Sequence, residues 1–231
     1  MLTIFLSTRN RPKLIEKTLE NIKAICPQHT VLIGNASSDG YFTEVSDIIN
    51  SYDNAIEVPY KPDPGLSIVY SDLYKKINTE LALVWADDME FLREFDTLLP
   101  YFDDSNVHLA ALPMIDDISE APITTGGGWP IDEHGCALWQ TGSGRCAHHA
   151  ITRVSHFKQF GDVCGSGDPR DVIDNFCHRH SSKEQRVWPT DGAYILHTRI
   201  DDATRLNTVL AGDIFRFPSK ASYSTSEERD K

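Results

Sequence analysis

The stretch Leu81 to Leu92, Leu-Ala-Leu-Val-Trp-Ala-Asp-Asp-Met-Glu-Phe-Leu, places the tightest limit on how this chain folds. An apolar run stops at Asp87 and Asp88, with Glu90 just beyond. Such a run, bounded by polar residues, suits a buried strand of a parallel sheet. Open α/β sheets bind ligands at the carboxyl ends of their strands. Two adjacent carboxylates at that position repel each other and are costly to desolvate unless a cation joins them. A hard divalent ion bridging to a phosphate meets that need. A plain turn or a helix cap explains the same two acids without any ligand.

The residues upstream repeat the same pattern. Thr3 to Ser7 reads as a first strand, followed by the polar turn Thr8-Arg9-Asn10-Arg11. Pro12 suits a first helical position, with Asn10 or a neighbour as cap. Leu14, Ile15, Thr18, Leu19, Ile22 and Ile25 then recur at helical spacing until Pro27. Val31 to Ile33 is a second strand, running into the small polar loop Gly34 to Gly40. Ala55 to Val58 is a third, followed by Lys61-Pro62-Asp63-Pro64-Gly65 and a helix facing inward through Leu66, Val69, Leu73 and Ile77. Alternating strand and helix implies an α/β fold with a mostly parallel sheet flanked by helices. The polar turns should then gather along one sheet edge.

Downstream, Phe95, Leu98, Leu99 and Phe102 suggest a short helix and Val107 to Met114 a strand. From Ile115 to Gly144 the periodicity breaks down, which in a compact domain marks a functional loop. Arg145 to Val154 reads as strand, Asp171 to His180 as helix, and Ala193 to Leu196 as a last strand ending at His197. Ser219 to Lys231 is a polar tail.

A net charge of -12 gives no electrostatic footprint for nucleic acid or an anionic membrane. No apolar run approaches the roughly 20 residues needed to span a bilayer. Five cysteines without a CxxC pair favour reduced thiols and a cytoplasmic protein. Cys164, Cys177, His178 and His180 match no standard zinc spacing.

Four features in order resemble glycosyltransferase family 2, nucleotide-sugar-dependent enzymes of the GT-A (Rossmann-like) fold. They are Ser7 to Pro12, the loop Gly34 to Gly40, Pro64-Gly65-Leu66, and Trp85 to Glu90 where that family has its Asp-x-Asp metal motif. The resemblance fades after Met114. It implies one domain, 1–231, with a nucleotide-sugar-binding half (1–114), an irregular acceptor-side half (115–218) and a tail (219–231). It implies a metal-dependent hexosyltransferase moving a sugar from a nucleoside diphosphate sugar to a hydroxyl acceptor, with Mn²⁺ or Mg²⁺ as cofactor. Asp88 and Asp87, with His197, are the implied metal ligands. Ser7, Thr8, Arg9, Arg11, Asn35, Ser37, Asp39, Gly65 and Asp87 are the implied donor contacts. The family's base-contacting aspartate falls at Gly34, and the first acid of its metal motif at Ala86.

Transfer to a hydroxyl also needs a base, usually a carboxylate. Asp171 and Asp168, before the helix near 171–180, are the two candidates; helix capping explains either without chemistry. Arg145, His148, His149, Trp129 and Trp139 lie on the expected acceptor side. The acceptor could be a saccharide, a lipid-linked sugar, a protein or a modified DNA base. The other readings are a non-catalytic nucleotide-sugar-binding protein and a sugar-phosphate nucleotidyltransferase, whose glycine-rich phosphate loop is missing after Leu6.

Overall fold

The computed structural model describes residues 1–116, 136–140, 150–155, 185–189 and 193–197, all within the compact unit Met1–Thr198. Strand β1 (Thr3–Thr8) leads through a tight turn into helix α1 (Pro12–Ile25). Pro12 occupies the first turn, where its missing N–H costs nothing. Ile15, Thr18, Leu19 and Ile22 are buried, as the helical spacing predicts. The expected asparagine cap is absent: Arg11 is the N-cap and makes no side-chain cap bond. Asn10, at φ 56, gives its side chain to another loop, described below.

Strand β2 (Thr30–Asn35) is followed by helix α2 (Asp39–Asn50), an element the sequence reading did not identify. Its buried face is narrow, Val45 and Ile49, so the apolar periodicity is weak. Strand β3 (Ala55–Pro59) and helix α3 (Leu66–Lys76) complete the alternating half. Val69 and Leu73 are fully buried on α3, with Ile77 buried just past its end.

Strand β4 (Leu81–Val84) does not run straight into the acids. After buried Trp85 the chain turns at Asp87 and Asp88 and restarts as β5 (Met89–Phe91). A 3₁₀ helix (Asp96–Asp103) buries Leu98 and Phe102. The expected strand from Val107 to Met114 is split into β6 (Val107–Ala111) and β7 (Met114–Asp116). Pro113 lies at the break; with no N–H it cannot donate to a ladder. Its carbonyl instead accepts from the amides of Tyr194 and Ile195 at 2.8 and 3.2 Å. Short strands follow at β8 (Cys136–Gln140), β9 (Ala150–Arg153), β10 (Gln185–Pro189) and β11 (Ile195–His197).

Among the described residues the main sheet has the order β3-β2-β1-β4-β9-β6-β10-β8. β3, β2, β1 and β4 pair in parallel, as expected from the alternation. β9 enters antiparallel between β4 and β6, and β8 closes the far edge antiparallel to β10. The fold is therefore α/β and mostly parallel, with β8 and β9 reversed. Ala150, Ile151 and Thr152 are fully buried, which an inserted central strand requires.

A second, three-stranded sheet has the order β5-β11-β7. It couples the segment after Asp88 to the segment ending at His197. β11 pairs antiparallel with β5 and parallel with β7. Beneath it Phe91 stacks on Trp85, with ring centroids 4.0 Å apart.

Candidate functional site

The turn between β1 and α1 is tied to every other turn at the carboxyl ends of β2, β3 and β4. Each tie is a specific polar contact. Towards β2, the Asn10 amide donates to Ser37 Oγ at 3.0 Å, and Asn10 Oδ1 accepts from the Ser38 amide at 2.8 Å and its hydroxyl at 3.1 Å. Towards β3, Arg9 Nη1 lies 3.0 Å from Asp63 Oδ2. Towards β4, Arg11 Nη1 lies 2.8 Å from Asp87 Oδ1, and Thr8 Oγ1 donates to Asp87 Oδ2 at 2.8 Å. The polar turns thus gather on one edge, as the parallel topology requires.

Asp87 is 5% exposed, and both its carboxylate oxygens are engaged. Its carbonyl also accepts from Thr18 Oγ1 on α1 at 3.1 Å. Burial pushes its carboxyl above the usual range, while Arg11 and Thr8 pull the other way. This arrangement spends Asp87 on holding the turn. Asp88, half-buried, follows in the same turn.

Asn35 is fully buried and equally committed. Its side-chain amide donates to Glu57 Oε1 at 2.7 Å and to the Phe42 carbonyl at 3.3 Å, and its Oδ1 accepts from the Ser37 amide at 3.1 Å. Asp39 sits in the first turn of α2, exposed, 2.9 Å from Lys61 Nζ. Lys61 holds its carboxyl below the usual range. Gly65 precedes α3 at φ 95, a conformation that favours glycine, and its amide donates to Asp63 Oδ1 at 2.8 Å. Asp63 therefore shapes its own turn and also receives Arg9. Ser7 pairs with Gly34 across β1 and β2.

Gly34 has a packing reason of its own. A Cβ there would lie 2.4 Å from Val69 Cγ1, with Tyr60 and Leu73 next nearest at 3.2 and 3.3 Å. Helix α3 fills the place an aspartate would need. A groove of about 500 Å³ lies beside this loop, lined by residues including Tyr60, Lys61, Pro64, Ile68, Asp72 and Lys75. Its lining includes neither Asp87 nor Asp88.

The small sheet places His197 by register. Its Cα partner on β5 is Met89, the residue after Asp88, and its partner on β7 is Asp116. Asp171, Asp168, Trp129, Arg145, His148, His149, Cys164, Cys177, His178 and His180 lie outside the described residues. Asn10 and Asp63 were not singled out as site residues by sequence reasoning. Their signals were present: asparagine tolerates positive φ, and an aspartate before Pro-Gly favours an Asx turn.

No protein-family model matches the sequence, and no curated protein matches it. Solved structures do. TarS 1–349 from S. aureus matches with a TM-score of 0.58 at 13% identity, over 85% of this chain and 60% of that one. The mannosyltransferase PcManGT from Pyrobaculum calidifontis, solved with GDP-Man and Mn²⁺, gives 0.60 at 13% identity, over 87% and 57%. GalNAc-T7, solved with UDP, GalNAc and Mn²⁺, gives 0.60 at 9% identity, over 87% and 43%. The chain has the GT-A fold of these proteins. It spans between 43% and 60% of their lengths.

Proposed function

We propose that this chain is a glycosyltransferase that moves a sugar from a nucleoside diphosphate sugar to a hydroxyl acceptor. The observation that carries the reading is the interlocked rim at the carboxyl edge, where one turn positions all the others through Arg9, Asn10 and Arg11. Such a rim is pre-ordered, so a donor would not have to organise it on binding. The same GT-A fold holds a nucleotide, or a nucleotide sugar, together with Mn²⁺ in PcManGT and GalNAc-T7.

The donor set fits a divalent ion with one carboxylate from the turn. Asp87 is taken by Arg11 and Thr8, which leaves Asp88, with His197 brought beside it by register. Oxygen and imidazole donors suit Mn²⁺ or, less well, Mg²⁺. Bound there, the ion would supply Lewis-acid stabilisation of the departing diphosphate. Thr8 and Arg11 fix Asp87 and hence the turn that presents Asp88. Asp171 or Asp168 would take the proton from the acceptor hydroxyl. The test is mass-detected transfer and hydrolysis across a panel of UDP-, GDP-, ADP- and dTDP-sugars with Mn²⁺. Mn²⁺-dependent sugar release from at least one donor is expected; inertness towards all of them would count against the reading.

A second reading, donor binding without transfer, is favoured by Gly34, where α3 fills the position of a base-contacting carboxylate. Calorimetry with UDP and GDP, with and without Mn²⁺, separates the two: binding without turnover supports the second.

A further inference from the structure

The three strands of the small sheet end together. β7 and β11 are parallel and finish at Asp116 and His197, which are Cα partners. β5 is antiparallel and begins at Met89, the partner of His197 on its other side. Asp88, His197 and Asp116 are therefore brought to one edge of one sheet, although the sequence spreads them over more than a hundred residues. Each strand is only three residues long, so little else can fix where His197 lies.

Neighbouring strands lie about 4.8 Å apart, which puts the Asp116 backbone one strand from His197 and two, roughly 10 Å, from Met89. Directly paired residues share a face of the sheet, with Cβ atoms about 5 Å apart. An aspartate and a histidine so paired are within hydrogen-bonding reach of each other, whereas the aspartate is too far from Asp88 to share a small ion's inner sphere easily. An imidazole that binds a metal through one nitrogen donates its other N–H to a carboxylate or carbonyl, which fixes its tautomer and raises its basicity.

We propose that Asp116 is that carboxylate: a positioning residue that orients His197 towards an ion shared with Asp88. The inference rests on the metal-site reading above and deepens it. The neighbouring Asp117 lies outside the described residues and carries no part of it.

The experiment measures Mn²⁺ binding to the full chain by electron paramagnetic resonance of free Mn²⁺, with and without UDP. The proteins are wild type, Asp116→Asn, His197→Ala and the double variant. Thermal unfolding in EDTA is recorded for each. Asp116→Asn is expected to weaken Mn²⁺ binding about 10–100-fold. It should add little in the His197→Ala background, because a residue acting through the histidine has nothing left to orient. Should Asp116→Asn fail to fold, Asp116→Glu must bind Mn²⁺ more tightly than Asp116→Ser, both being compared only if their EDTA melting matches wild type. Wild-type affinity in Asp116→Asn alongside a loss in His197→Ala overturns the inference and leaves the metal reading intact. Additive losses overturn it as well, since Asp116 would then act independently of His197. Failure of the wild type to bind Mn²⁺ in either condition overturns both.

Discussion

The Arg11 guanidinium sits 2.8 Å from the Asp87 carboxylate, joining the turn after β1 to the turn after β4. Arg11 is a quarter exposed and Asp87 almost fully buried. The aspartate therefore depends on the arginine more than the reverse. Removing one partner of a buried pair typically costs about 3–5 kcal/mol, because an uncompensated charge remains. Arg11→Ala should lower the unfolding free energy by about 3 kcal/mol, and Thr8→Val by about 1–2 kcal/mol through the lost hydroxyl. Urea unfolding of both variants checks this. A change within about 0.5 kcal/mol for Arg11→Ala, the range of ordinary surface substitutions, would show that the pair is incidental.

Gly34 offers a test of packing. Its missing side chain leaves room for Val69, whose Cγ1 lies 2.4 Å from where a Cβ would stand. Gly34→Ala should destabilise the fold by about 1–3 kcal/mol through overpacking. Combining it with Val69→Ala should be less damaging than the sum of the single changes, with a coupling of about 1 kcal/mol. Equilibrium unfolding of the three variants is the measurement; simple additivity would mean the clash is relieved elsewhere.

His29 predicts a pH dependence. It is buried, its Nε2 lies 2.8 Å from Asp96 Oδ1, its Nδ1 accepts from the Leu2 amide at 3.4 Å, and its ring stacks on Phe95. Burial lowers its pKa, outweighing the pull of Asp96. A histidine with a lowered folded pKa is protonated more readily in the unfolded chain. Its contribution is therefore intact above the unfolded pKa of about 6.5 and is lost as pH falls through that value towards the folded one. Stability measured by urea unfolding from pH 8 to pH 5 should decline more steeply in wild type than in His29→Gln. Parallel slopes would remove His29 as a cause.

The first half of the fold was legible because its elements carry one clear period each. Ile15, Leu19 and Ile22 mark α1, Val69 and Leu73 mark α3, and the apolar runs mark β1, β2 and β4. Helix α2 was missed because few of its residues are buried. The antiparallel insertion of β9 was missed because a short apolar run, Ala150 to Ile151, fits a buried strand of either direction. The site was half legible: residue type announced the carboxyl-edge cluster, but not how its members divide the work. Asn35 and Asp87 look like ligand-binding residues in sequence. In the fold their polar atoms are turned on neighbouring loops, and only the partners Glu57, Thr8 and Arg11 reveal it.

That division separates the two adjacent acids experimentally. Asp87 is enclosed by Thr8, Arg11 and Thr18, whereas Asp88 is the half-buried acid that the proposed metal site uses. Asp87→Asn keeps the shape but leaves Arg11 without its counter-charge, so it should lower the unfolding free energy by about 2–3 kcal/mol measured in EDTA. Asp88→Asn should change stability in EDTA by less than about 1 kcal/mol. Its effect should fall on the ion instead: Mn²⁺ affinity is expected to drop by more than about tenfold, or roughly 1.4 kcal/mol. Melting curves in chelator paired with Mn²⁺ titrations of the same two variants give the answer. If Asp87→Asn loses the ion and Asp88→Asn loses the fold, the roles are reversed. Arg11 would then have to release Asp87 when the ion binds.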